Sequence, residues 1–225
     1  MHMGAAEKIK KLSTGIPAGV RIIAVSKTRT PEEIIQLYSA GHKIFGENKV
    51  QELVGKKEVL PDDIEWHMVG HLQSNKVKYI APFVRMIHSV DSIRLLKIID
   101  KEANKNNRII DCLLQVHIAM EETKFGFSSE EVLTLFRSFS SVDYPGVRVR
   151  GLMGMATFTS DGNLVRSEFR KLALLFHNVR EIFSGSQDTF NELSMGMSDD
   201  YQIAVEEGST LVRIGSLIFG ERDNY

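Results

Sequence analysis

There is one cysteine in this 225-residue chain, Cys112, so no internal disulfide can form. Its neighbours are apolar, which suits a small buried hydrophobe better than a nucleophile. A single cysteine fits the reducing cytosol, and a cytoplasmic protein is the expectation. No apolar run approaches the roughly 20 residues that span a bilayer. The opening residues, Met1-His2-Met3-Gly4-Ala5-Ala6-Glu7-Lys8, lack the apolar stretch of a secretory signal. The formal net charge of −1 shows no basic excess, so neither nucleic acid nor membrane is an expected partner. G-x-S-x-G, P-loop and C-x-x-C motifs are absent. His67, His71, His88 and His117 have no tight metal-ligand spacing: His67 and His71 are four apart but straddle a strand and its loop. No metal is expected. A fixed-period repeat, a low-complexity tract and a linker are also missing, which predicts one domain over 1–225.

What is present is an alternation. The chain is 43% hydrophobic and 25% charged, enough for a sizeable core in a hydrated shell. Short apolar runs, Val20–Ser26, Lys43–Gly46, Ile64–Val69, Met86–Val90, Ile110–Ile118, Val147–Met155, Asn191–Ser194 and Leu211–Ile214, read as strands. Amphipathic segments separate them. Thr30-Pro31-Glu32-Glu33 starts a helix with a capping threonine, a first-turn proline and acids at the positive end of the dipole. Helices are predicted over Asn48–Val59, Ser74–Ile80, Asp91 to about Asn104, Ser128 to about Ser140, Leu164–Phe183 and Ser198–Glu207. In Ile110–Ile118 the even positions are wholly apolar and should pack under helices. The odd positions, Asp111, Leu113, Gln115 and His117, should face a barrel interior. Eight alternating units imply parallel strands with right-handed crossovers, hence an α/β fold of the closed (β/α)8 barrel type. An open doubly wound sheet is the alternative.

Barrel sites lie at the carboxyl ends of the strands, and the unusual residues gather there. Lys27 follows the first strand. A lysine so placed can point into a pocket, lose its proton and form a Schiff base with an aldehyde, or it can simply end a strand in solvent. Ser194-Met195-Gly196-Met197-Ser198 and Gly215-Ser216 follow the last two strands, where barrels commonly hold phosphate. Asp199 and Asp200 would repel an anion directly above them, so it should sit toward Ser194–Met197 or on Gly215-Ser216. Arg213 shares a strand face with Leu211 and could face a bound ring or pair with an acid at the mouth.

Several stretches then occur in order: Ala24-Val25-Ser26-Lys27, Phe45-Gly46-Glu47-Asn48-Lys49-Val50-Gln51-Glu52, Trp66-His67-Met68-Val69-Gly70-His71-Leu72-Gln73-Ser74-Asn75-Lys76, Lys124-Phe125-Gly126-Phe127, Gly151-Leu152-Met153-Gly154-Met155, Leu193 to Ser198, and Val212-Arg213-Ile214-Gly215. Together they resemble the pyridoxal phosphate homeostasis protein family, also called the YggS or PROSC family, over nearly the whole chain. The resemblance implies a barrel like the N-terminal domain of alanine racemase, termed fold type III, without the racemase's second β domain. It implies pyridoxal 5′-phosphate as cofactor, with Lys27 forming the Schiff base and Arg213 near the pyridine nitrogen. Asn48 would lie close to the ring. The phosphate would rest on Ser194, Met195, Gly196, Gly215 and Ser216. Ser216 stands where relatives often have threonine, and Lys49 where arginine is common.

Arginine beside a pyridine nitrogen cannot keep it protonated as a carboxylate does, so carbanion chemistry is weakened, though racemases of this fold manage it. Tyr38, Tyr79, Tyr144, Tyr201 and Tyr225 fall in none of these stretches, so no second acid/base is visible. The leading expectation is a non-catalytic carrier that buffers pyridoxal phosphate, passes it to apo-enzymes and is a monomer. A racemase of the same fold is the runner-up. A sugar-phosphate enzyme with Lys27 as substrate Schiff base is a third reading.

Overall fold

The computed structural model describes residues 3–120, 125–183 and 189–221. Lys124 and Tyr225 lie outside the described residues. The elements run α1 (Ala5–Gly15), β1 (Arg21–Val25), α2 (Pro31–Ser39), β2 (Ile44–Glu47), α3 (Val50–Val59), β3 (Glu65–Met68), α4 (Val77–Ile80), β4 (Met86–Val90) and α5 (Ile93–Lys105). They continue with β5 (Ile110–Gln115), α6 (Ser129–Ser138), β6 (Val147–Met153), α7 (Gly162–Ile182), β7 (Glu192–Ser194), α8 (Tyr201–Glu206), β8 (Leu211–Ile214) and α9 (Ser216–Phe219). The strands form a closed parallel barrel in the order β1 to β8. β1 pairs with β8 from Arg21↔Leu211 to Ala24↔Ile214, which excludes the open sheet.

Local signals start the helices where they were expected. Thr30 and Ser128 cap α2 and α6 in reciprocal boxes with Glu33 and Glu131, and Ser92 accepts from the Leu95 amide to cap α5. Some boundaries differ. α3 begins at Val50, because the chain bends at Asn48 and Lys49 is extended at the barrel mouth. β5 ends at Gln115; beyond it Val116 makes a single bridge to Phe127. β6 ends at Met153, and α8 begins only at Tyr201. Helices α1 and α9 were not anticipated. α1 offers little more than Ile9 and Leu12 as an apolar face, and α9 is one turn long.

Two apolar layers result. The larger lies between strands and helices and includes Phe45, Trp66, Phe169 and Phe190. The even residues Ile110, Cys112 and Leu114 of β5 belong to it. Burying a large apolar side chain of this kind contributes about 1.5–3 kcal/mol. The second layer fills the barrel itself, with Ile23, Val69, Met86, Leu113, Met153 and Leu211. Strand alternation therefore sorts the two layers as predicted. Among the described residues no helix is long and apolar enough to cross a membrane.

The seam between β7 and β8 is thin. The strands pair at one position, Ser194↔Leu211. The Ser209 hydroxyl supplements it, within hydrogen-bond distance of the carbonyls of Leu193, Met195 and Leu211. Backbone bonds from Thr210 to Leu193 and from Arg213 to Gly196 continue the join.

Candidate functional site

The carboxyl ends of β1, β2, β7 and β8 open on a cavity of about 250 Å³. Lys27, Asn48, Arg213, Gly215 and Ser216 line it, together with Arg29, Ser198 and Asp199. Arg213 lies on β8 and Ser216 opens α9; the others come from loops that the barrel brings to the same rim.

Lys27 sits two residues beyond β1. Ser26 anchors it from below, its amide donating to the Gly46 carbonyl at 2.9 Å. Its hydroxyl donates to Oε1 of Glu47 at 2.7 Å. That carboxylate oxygen also accepts from the Lys56 ammonium, which reaches the Ser26 carbonyl too. Burial raises the Glu47 carboxyl above the ordinary range, and the bond from Lys56 opposes the shift. On the other side of Lys27, Thr28 has φ +65°, a strained region for a β-branched residue. The Thr28 amide donates to Oε2 of Glu52 at 2.7 Å, which holds that conformation.

Asn48 is set by close packing. A Cβ on Gly70 would lie 2.4 Å from the Asn48 carbonyl oxygen, so only glycine lets the loop after β3 approach it. Asn48 also borders an adjoining lobe of about 350 Å³ that is lined by His71, Gln115, His117 and Phe125.

Arg213 is 5% exposed. Its Nη1 donates to the Ser194 hydroxyl at 2.6 Å and its Nη2 to the Gly154 carbonyl at 3.0 Å. Burial lowers the guanidinium to about 10, against the attraction of Asp200. It remains cationic at neutral pH, and two of its five N–H donors are used in these bonds.

Ser194, Met195 and Gly196 do not line the cavity. Ser194 and Met195 are fully buried, and the Ser194 hydroxyl is engaged by Arg213. Gly196, at φ +92°, is required for packing: a Cβ there would meet that of Ala204 at 2.6 Å. The Met197 amide is taken by the Asp200 carboxylate at 2.5 Å. The small polar residues of this rim that do line the cavity are Gly215, Ser216 and Ser198, the last of which accepts from the Gly215 amide at 3.3 Å. The sequence reading passed over Arg29, although it follows Lys27 by two residues in the same loop. Its guanidinium donates to the Gly220 carbonyl and lies over the Phe219 ring, tying the chain's last described turn to the rim. No cluster of metal-binding side chains occurs among the described residues.

An amine, a buried guanidinium and two serine hydroxyls around one cavity suit an aldehyde that carries an anionic tail and an aromatic ring nitrogen. A parallel barrel with that mouth defines the class: residues 5–223 match the model of the alanine racemase N-terminal domain. The chain belongs to the pyridoxal phosphate homeostasis protein family within that class. It is 44% identical over 207 residues to the pyridoxal phosphate homeostasis protein of Aquifex aeolicus, covering 90% of this chain and 87% of that one. It is 38% identical over 212 residues to the protein of that name from Vibrio alginolyticus, covering 92% and 88%. The structure of PipY from Synechococcus elongatus with pyridoxal phosphate bound is similar at a TM-score of 0.83 and 32% identity, over 96% of this chain and all of that one. Alanine racemase from Bartonella henselae, at 15% identity and a TM-score of 0.70, shares the fold over 98% of this chain and 60% of its own.

Proposed function

We propose that this chain holds pyridoxal 5′-phosphate at the barrel mouth and serves its homeostasis as a carrier rather than a catalyst. The observation that carries this is that Lys27, just beyond β1, and Arg213, on the neighbouring strand β8, line the same cavity. The residues fit the cofactor. Lys27 supplies the amine for a Schiff base, Arg213 donors for the ring, and Ser198, Gly215 and Ser216 polar groups for the phosphate. When bound, the cofactor supplies a reactive aldehyde and an electron-withdrawing ring. Family membership supports the reading.

What the chain's own residues do is bind and orient. Ser26, Glu47 and Lys56 fix the end of β1, and Glu52 fixes the turn after Lys27. Arg213 stays charged and offers donors only, so it does not place a proton on the ring nitrogen. Tyr38 donates to Asp63 far from the mouth, and no tyrosine lines the cavity among the described residues. These features favour storage over turnover. Transfer to apo-enzymes, a monomeric state and a cytoplasmic location belong to the same proposal. The racemase reading finds its groups in the adjoining lobe, where His71 and His117 could act as bases.

The test is direct. Purified protein soaked with pyridoxal phosphate should gain a visible absorption band that borohydride bleaches, with the reduced adduct on Lys27 by mass spectrometry. Lys27→Ala should stay colourless. A colourless wild type overturns the proposal, and sustained racemisation of an amino acid by the loaded protein would transfer it to the racemase reading.

A further inference from the structure

Below the cavity floor a line of polar side chains crosses the barrel. His67 Nδ1 of β3 lies 2.9 Å from His88 Nε2 of β4. His88 Nδ1 lies 3.0 Å from the Ser194 hydroxyl of β7, which accepts from Arg213 of β8 at 2.6 Å. His67, His88 and Ser194 are all at least 99% buried. Around them the barrel is filled by Ile23, Leu113 and Met153. An apolar filling of the same volume would be as stable or more so, because polar groups in such a place must each find a partner. Packing therefore does not account for this line.

We propose that His67, His88 and Ser194 form a positioning relay of fixed hydrogen-bond polarity that holds the Arg213 guanidinium in place for the ring of a bound cofactor. This rests on the pyridoxal phosphate reading above. The polarity follows from counting protons. Arginine only donates, so the Ser194 oxygen accepts from it. The hydroxyl's one proton then goes to His88 Nδ1. That places the His88 proton on Nε2, from which it is donated to His67 Nδ1. His67 keeps its proton on Nε2, the ring atom with no hydrogen-bond partner. The opposite polarity would leave two buried atoms without a partner, the Ser194 hydroxyl proton and the His67 Nε2 lone pair, against the single His67 Nε2–H of the favoured sense. In the favoured sense, the serine lone pairs face Arg213 and the guanidinium is braced between Ser194 and the Gly154 carbonyl. Its remaining N–H groups are left for the cavity. Burial keeps both imidazoles neutral, with His67 lowered to about 3 and His88 well below its ordinary value. No second cation then competes with Arg213.

Two substitutions separate the links, because an asparagine amide can stand in for Nδ1 of histidine and a glutamine amide for Nε2. His88→Asn retains the contact to Ser194, whereas His88→Gln retains only the one to His67. Titrating each apo-protein with pyridoxal phosphate should give His88→Asn, which loses only the more distant link to His67, a Kd about two- to threefold above wild type. His88→Gln and the milder Ser194→Ala should bind about tenfold more weakly, as expected for loss of one charge-assisted bond, with a shifted absorption band. Equal affinities for the two His88 variants, in proteins that melt cooperatively, would overturn the relay. Nitrogen NMR of the labelled apo-protein provides a readout without cofactor. Both buried imidazoles should be neutral Nε2–H tautomers from pH 5 to 8, and an Nδ1–H tautomer at His88 would refute the polarity. If wild type fails to bind pyridoxal phosphate, the functional reading falls, while the NMR result still decides the relay.

Discussion

The Lys56 ammonium lies 2.6 Å from Oε1 of Glu47, with the carboxylate fully buried and the ammonium nearly so. This pair stands behind the ends of β1 and β2, next to Lys27 and Asn48. Removing one partner of a buried pair leaves an uncompensated charge, at a cost of roughly 3–5 kcal/mol. Lys56→Met should therefore lower the melting temperature sharply and weaken pyridoxal phosphate binding. The double variant Glu47→Leu with Lys56→Met should regain most of the stability, because the unpaired charge is gone. Thermal melts of the three proteins check this.

Thr28 holds its left-handed conformation with the help of the Glu52 carboxylate. Glu52→Ala should free the turn and slow formation of the borohydride-trapped Lys27 adduct several-fold. Adding Thr28→Gly should restore much of the rate, since glycine adopts positive φ without strain. Timed quenching followed by mass spectrometry measures both.

Gly70 meets Asn48 backbone to backbone, so neither side can move a flexible side chain aside. Gly70→Ala is expected to cost roughly 1–3 kcal/mol, the range of overpacked cores. It should also displace Asn48 from the cavity. A denaturant titration gives the first quantity, and affinity for pyridoxal phosphate the second.

Acid should weaken the fold earlier than carboxylates alone would require. Both buried histidines have folded pKa values below the ordinary 6.5, through burial first and charge repulsion second: from Arg21 and Arg85 for His67, and for His88 from the partner imidazole should it take a proton, then from Arg213 and Arg21. Above pH 6.5 each is neutral whether folded or unfolded, and contributes nothing to the pH dependence. Below it the unfolded chain gains protons that the folded chain refuses. Stability should then fall by about 1.4 kcal/mol per histidine per pH unit. For His67 this continues until the folded value of about 3 is reached. Chemical denaturation at pH 7, 6 and 5 should show the slope, to which His42, also lowered by burial, adds with the same sign, and His67→Phe should make it shallower by about 1.4 kcal/mol per pH unit.

Much of this was legible in the chain because it depends on near neighbours. The alternation in Ile110–Gln115 separates outward Cys112 and Leu114 from inward Leu113, and the structure buries them in different layers. The parity of Arg213 with Leu211 put it inside the barrel in the same way. Contacts across the barrel follow no such period. His67, His88 and Ser194 are separated by 21 and 106 positions, so no local pattern joins them. Ser194 looked like an anion ligand because its motif resembles one, whereas its bond to Arg213 depends on a strand that comes later. Lys56 stands within the predicted helix Asn48–Val59 with nothing in its neighbours to mark it; only the packing of α3 on β2 shows it to be buried.

Closing β7 to β8 with a single ladder position and the Ser209 hydroxyl gives the cylinder a parting line. Hydrogen exchange should begin along it, at amides such as Met195 and Thr210, well before it reaches the extensively paired β5 and β6. The same line runs beneath Arg213 and Gly215, so whatever is held at the mouth straddles the place where the wall gives way first. Its escape and the earliest opening of the wall would then be one motion, read out as two rates that change together when Ser209 is replaced by alanine.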